Sequence, residues 1–159
     1  MIVKDILDED FLNYKKAAMY IAFPYCTFKC EKDCGIKCCQ NSSLAKSKNF
    51  DFDIDEIIQR YMNNEITHAI VCCGLEPLDS FKDLMLLLAK LRVEYKCNDD
   101  FVIYTGYKEE EVKDKVEQLS KYPNVIMKFG RFVPNQESKY DEVMGITLAS
   151  PNQYGKKIS

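Results

Sequence analysis

The chain has 159 residues, 22 basic and 25 acidic, for a formal charge of −3; 47% are apolar and 30% charged, with six Gly, five Pro and no Trp. That length suits one domain spanning residues 1–159, with its core at about 17–155, and it can bury roughly two-thirds of its unfolded surface. The apolar fraction excludes a disordered tail and the negative charge argues against a nucleic-acid coat. No apolar run approaches the ~20 residues of a membrane span, Ala17 to Phe23 being far too short.

The amino end, MIVKDILDED, has acids where a secretion signal needs a basic start and an apolar stretch, so a cytoplasmic location is expected. Met19 to Phe23 (MYIAF) reads as a buried strand ending at Pro24, followed by a cysteine-rich loop and a polar stretch from Asn41 to Asn49. Asp53 is placed to cap a helix to about Asn63, with Ile54, Ile57, Ile58 and Tyr61 at helical spacing and Glu56 three residues after the cap. Ala69 to Cys73 (AIVCC) reads as a second strand, broken by Gly74 and Pro77. The clearest helix runs from Phe81 to about Tyr95, with Leu84, Leu87, Leu88 and Leu91 on one face. Phe101 to Tyr104 is a third strand, Glu109 to Leu119 a charged helix with a solvated face, and Val125 to Lys128 a fourth strand. Beyond Gly130 the chain is loop-rich, with a short strand near Met144 to Leu148.

Strands alternating with helices predict parallel βαβ units with right-handed crossovers. A closed eight-fold barrel typically takes about 250 residues, so the expected fold is α/β: an incomplete β/α barrel of parallel strands with outer helices, or a small open sheet. In either, ligands gather at the carboxyl ends of the strands. There lie the cysteine loop, Gly74-Leu75-Glu76-Pro77 and Thr105-Gly106-Tyr107.

Five of the eight cysteines, Cys26, Cys30, Cys34, Cys38 and Cys39, fall within fourteen residues. In a reducing compartment such crowding reads as metal or cluster ligation rather than bridging. Cys26, Cys30, Cys34 and Cys38 offer the four thiolates of a closed zinc site. Alternatively, three thiolates on a four-iron cluster leave one iron free for a small molecule. The cysteine count alone leaves both open.

A strand, Cys26-x3-Cys30, a further Cys and then Asn41 resembles the cluster loop of radical S-adenosylmethionine enzymes. Among them it is most similar to the small activating proteins of anaerobic ribonucleoside-triphosphate reductases. Those usually carry Cys-x3-Cys-x2-Cys, an aromatic or similar residue, then Asn. Aligned on that last feature, Cys39-Gln40-Asn41 is the match, with Cys26 and Cys30 as the first two ligands. The gap from Cys30 to Cys39 holds eight residues instead of two, so Cys34 stands as the alternative third ligand, and Cys38 takes the place of a side chain that flanks the adenine. Cys73-Gly74-Leu75-Glu76-Pro77 resembles the family's Gly-Gly-Glu-Pro segment, with Leu75 in place of the second Gly; its polar groups hold the methionyl amine. Tyr104-Thr105-Gly106-Tyr107, Gly130-Arg131-Phe132 and Ser150-Pro151-Asn152-Gln153 also echo the activating proteins, in the same order.

The resemblance implies a [4Fe-4S] cluster on Cys26, Cys30 and Cys39, and S-adenosylmethionine bound with the help of Gly74, Glu76, Pro77 and Thr105. It implies reductive cleavage to a 5′-deoxyadenosyl radical that takes hydrogen from a glycine of a large partner reductase, with a flavodoxin-type electron donor. No side chain is then needed as a general base. In keeping with that, His68 has no Ser or Cys partner and reads as a surface residue, no phosphate-binding Gly-rich loop is present, and Cys97 reads as an incidental thiol. One of the neighbouring Cys72 and Cys73 should pack inward while the other faces the site.

Overall fold

Parallel pairing of the four apolar runs organises the protein, and the computed structural model describes all 159 residues. In chain order the elements begin with β1 (Ile2–Val3), β2 (Asp5–Asp10) and β3 (Ala18–Phe23). The cysteine loop carries two short helices, α1 (Lys29–Cys34) and α2 (Ser42–Lys46), and leads to β4 (Phe50–Asp51) and α3 (Ile54–Met62). Then come β5 (Ala69–Gly74), a 3₁₀ turn at Pro77–Ser80, α4 (Phe81–Val93), β6 (Asp100–Tyr104), a 3₁₀ turn at Glu109–Glu111, α5 (Lys113–Leu119) and β7 (Val125–Phe129). The hairpin β8 (Lys139–Asp141) and β9 (Ile146–Leu148) precedes β10 (Tyr154–Lys157).

One six-stranded sheet has the order β10-β7-β6-β5-β3-β2. The inner four strands are parallel, and β2 and β10 run antiparallel at the two edges. This is the partial barrel expected from the sequence, with two edge strands the periodicity did not reveal. No helix is long and apolar enough to cross a membrane.

The sheet's two faces are built differently because successive side chains alternate sides. Met19, Ile21, Phe23, Ile70, Phe101, Ile103 and Met127 meet the helices, with Ile57, Ile58 and Tyr61 of α3, Leu84, Leu87, Leu88 and Leu91 of α4 and Leu119 of α5 all buried against them. Each such leucine contributes about 2 kcal/mol by leaving water. Asp53 caps α3 by accepting the Asp55 N–H at 2.7 Å, as its spacing predicts. The other face is concave. At the strands' amino-terminal halves it is packed by Ala18, Ala69, Val71, Val102 and Ile126 under Tyr14 and Met144. Towards their carboxyl ends it turns polar, with Tyr20, Cys73, Tyr104 and Lys128 lining a cavity.

Two sequence expectations are corrected. The charged helix is split, because the Glu111 side chain turns back to accept the Lys108 N–H at 2.9 Å and Val112 leaves helical geometry at φ −132°. Met144 is not in a strand: it is a buried plug, and the strand begins at Ile146.

Candidate metal and cofactor site

A cavity of about 600 Å³ opens at the carboxyl ends of the four parallel strands. Cavities of this size take small ligands and cofactors. Cys26, Cys30, Cys39 and Asn41 line one end; Gly74, Glu76, Thr105 and Gly106 form a wall; Leu7, Leu12, Ile146 and Leu148 also line it.

The three cavity thiols come from separate parts of the loop. Phe28, at φ +50° just before α1, turns the chain so that its N–H donates to Cys26 Sγ at 3.2 Å. Burial raises the Cys26 thiol to about 12, partly offset by that hydrogen bond. Burial and then the Cys39 thiol raise Cys30. Burial thus disfavours a free thiolate at Cys26 and Cys30, and ligation to a metal centre is what would draw their protons off. The Asn41 side chain donates to Gly74 O at 2.5 Å, fastening the end of the loop to β5.

Cys34 and Cys38 are placed differently. Neither lines the cavity, and their sulfurs face one another at 3.0 Å. The four evenly spaced thiols of a zinc site therefore do not gather, and no three Cys, His, Asp or Glu side chains enclose a single ion. A four-iron cluster places its thiolates on different irons, so a wider spread suits it. The donor set fits such a cluster: three soft thiols at one end of a cavity, one already carrying an N–H···S bond of the kind that tunes iron–sulfur centres. Cys38 is likewise not beside the cavity, where the resemblance would put an adenine neighbour.

The wall is rigid. Gly74 has φ +89°, and a Cβ there would stand 2.7 Å from Ala22 Cα and Phe23 N, so the close approach of β3 and β5 requires glycine. Glu76, only 4% exposed, accepts the Gly106 N–H at 2.8 Å and the Leu78 N–H at 3.1 Å. Burial raises its carboxyl to about 7 even though these bonds and the Thr105 hydroxyl lower it. Pro77 is buried at the first position of the following 3₁₀ turn, where its missing N–H is harmless. Thr105 donates its N–H to Lys128 O at 2.8 Å, and its hydroxyl oxygen accepts the Tyr107 N–H at 3.0 Å. Glu76 and Thr105 thus spend much of their hydrogen-bonding capacity holding strand ends together. Cys72 packs in the core and Cys73 faces the cavity, as the alternation requires; His68 is exposed and Cys97 buried.

Two cations were not singled out from the sequence. Lys128, 7% exposed, has one hydrogen bond, to Gly130 O at 3.0 Å, and lies 5.7 Å from the Tyr104 ring centroid. Burial lowers it to about 8, against the pull of Cys73 and Glu76. Arg131 reaches Asp33 of α1 at 2.9 Å and Glu111 at 2.7 Å, while Lys29 of α1 pairs with the same Glu111. The Arg131 guanidinium, and after it Lys29, hold the Glu111 carboxyl down to about 2. This four-charge clasp ties α1 to the barrel wall. The Gly130-Arg131-Phe132 echo was the one signal that could have located it.

Residues 16–152 match the family model described as a 4Fe-4S single cluster domain. No curated protein and no solved structure matches the chain. A match across most of the sequence, on a chain whose cavity is lined by three cysteines of the loop, makes this protein a member of the 4Fe-4S single cluster domain family.

Proposed function

We propose that the protein is a radical S-adenosylmethionine activating enzyme that generates a glycyl radical on a large partner, with an anaerobic ribonucleotide reductase as the favoured partner. Cys26, Cys30 and Cys39 would hold the cluster, leaving one iron for the cofactor. When bound, a reduced [4Fe-4S] cluster supplies the electron that divides S-adenosylmethionine into methionine and a 5′-deoxyadenosyl radical.

The observation that carries this reading is the pairing, in one cavity, of three thiols with a buried lysine whose only hydrogen-bond partner is a carbonyl. A buried ammonium in that state favours a carboxylate ligand, and S-adenosylmethionine carries one. Lys128 would receive it. Gly74 lets β3 and β5 close on one another at the cavity wall, Glu76 and Thr105 keep that wall in register, and Pro77 starts the turn behind it. The aliphatic floor and the packed plug of Tyr14 and Met144 exclude water from below.

A protein substrate is supported by the cavity's mouth. Leu7 and Leu12 line it yet are 47% and 80% exposed, an apolar rim suited to a peptide segment. A flavodoxin-type, acidic electron donor is supported by charge. Residues 26–48 carry five lysines and two acids in a chain of net charge −3. Both acids are occupied internally, Glu31 by the Cys39 N–H and Asp33 by Arg131, while Lys32, Lys37, Lys46 and Lys48 are exposed. Such a cationic collar steers an acidic carrier to the cluster end.

The test is anaerobic reconstitution followed by dithionite and S-adenosylmethionine. The expected result is 5′-deoxyadenosine release and, with the co-expressed reductase, a glycyl radical signal by electron paramagnetic resonance. A reconstituted cluster that releases no 5′-deoxyadenosine would refute the reading.

A further inference from the structure

The insertion between Cys30 and Cys39 contains two thiols that the cluster reading leaves without a task. We propose that Cys34 and Cys38 form a reversible dithiol–disulfide couple, oxidised by a low-molecular-weight disulfide such as glutathione disulfide and separate from the cluster ligands. The second half of that statement rests on the ligand set proposed above; the first half does not.

The local fold is built to bring the pair together. Cys34 is the last residue of α1, and Gly35 follows at φ +72° with its N–H donated to Glu31 O at 2.9 Å. This left-handed turn reverses the chain, and nothing lies within 4 Å of where a Gly35 Cβ would stand, so the turn is unobstructed. Three residues later Cys38 is back over Cys34, with the sulfurs 3.0 Å apart. A disulfide needs about 2.05 Å, so bond formation asks for about one ångström of side-chain movement. The Cys34 thiol lies 3.4 Å from Ile36 O and 3.7 Å from Glu31 O, within hydrogen-bonding reach of both. Both sulfurs belong to half-buried residues rather than core residues, so a small disulfide can reach them. Cys39, unlike the pair, lines the cavity, and its N–H donates to the Glu31 carboxylate at 3.1 Å.

The exchange balances without the cluster. One of the two thiols, as thiolate, attacks a sulfur of glutathione disulfide and releases one glutathione. The second thiol then displaces the other glutathione from the mixed disulfide. Two protein S–H bonds are lost and one S–S bond forms, while the oxidant is reduced to two glutathione thiols that take up both protons. In the oxidised form two thiols that could compete for iron are withdrawn, and the remaining loop thiols are the proposed ligand trio.

The test uses the full chain, iron-free and fully reduced, titrated anaerobically with glutathione disulfide and followed by alkylation and tryptic mass mapping. Trypsin cuts after Lys32, Lys37 and Lys46, so the couple is read as peptide 33–37 joined to peptide 38–46, with fragmentation locating the bond at Cys38. The expected result is loss of two of the eight free thiols, about tenfold faster than modification of any other cysteine, and full recovery with dithiothreitol. Cys34→Ser should leave Cys38 only as a glutathione adduct, and Cys38→Ser should do the same to Cys34. A bond to Cys39, Cys26 or Cys30, or oxidation of the pair no faster than the rest, would overturn the couple. Iron content of the reconstituted Cys34→Ser/Cys38→Ser double variant separates the two readings. Undiminished iron supports a couple distinct from the ligands. Iron loss in a protein whose wild type still forms the Cys34–Cys38 bond would overturn the ligand set and leave the couple standing.

Discussion

The Glu76 carboxylate accepts the Gly106 N–H at 2.8 Å, joining the end of β5 to the turn after β6 across the back of the cavity. Its carboxyl is raised to about 7, chiefly by burial. The folded chain therefore keeps a proton that the unfolded chain releases. That stabilisation is complete below the ordinary glutamate value and is lost as pH rises through about 7. Glu76→Gln has no such titration. The stability advantage of wild type over Glu76→Gln, measured by urea unfolding of reduced, iron-free protein, should shrink by about 2 kcal/mol between pH 5 and pH 7.5. A difference independent of pH would refute the assignment.

Gly74→Ala should be more damaging than an ordinary glycine substitution. The added methyl meets Ala22 Cα and Phe23 N at 2.7 Å, both backbone atoms that cannot rotate away, and the residue sits at φ +89°. The expected loss is about 3 kcal/mol or more, summing strain and overpacking, seen as a lower urea midpoint or as insoluble protein.

Single alanine variants of the loop cysteines should divide by position. Cys26→Ala, Cys30→Ala and Cys39→Ala, all from the cavity, should abolish iron uptake on anaerobic reconstitution. Cys34→Ala, whose sulfur faces Cys38 instead, should keep most of it. Iron analysis and visible absorbance read the outcome, and loss of the cluster only with Cys34→Ala would reverse the ligand assignment.

Lys128→Met keeps the length of the side chain and removes its charge. Affinity for S-adenosylmethionine should fall by about ten- to a hundredfold, the range for a charge-assisted hydrogen bond, with iron content unchanged. In the unliganded protein Lys128 loses its proton near pH 8. Wild-type affinity should therefore be flat below pH 8 and decline above it, while the variant shows no such decline. Equilibrium binding across pH 6.5–9 checks both, and a Met variant that follows the wild-type profile would contradict this role.

Much of the fold was legible because burial leaves a pattern. MYIAF, AIVCC, FVIY and VIMK each mark an inner strand, since a strand covered on both faces reads as a short continuous apolar run. The edge strands left no such mark. β2 is the acidic DILDED, with only Ile6 and Asp10 buried, and β10 is Tyr-Gly-Lys-Lys with no buried residue. Charged edges discourage further pairing, and the same charge makes them read as loop. Within the site, cysteine crowding was visible at once, whereas Lys128 read as the polar end of an apolar strand. Only the parallel register opposite Tyr104 reveals that it faces the cavity. The task of Glu76 was hidden for a similar reason: its partner, Gly106, lies thirty residues away.

The clasp of Lys29, Asp33, Glu111 and Arg131 bears on how such a centre is assembled. It crosses from α1 to the turn after β6 and the segment after β7, using side chains alone and no thiol. The stretch that follows Cys30 is thereby oriented before any iron arrives. Metal capture then becomes a docking event on a prearranged scaffold, and the lost chain entropy that slows maturation of a floppy loop has already been met by folding.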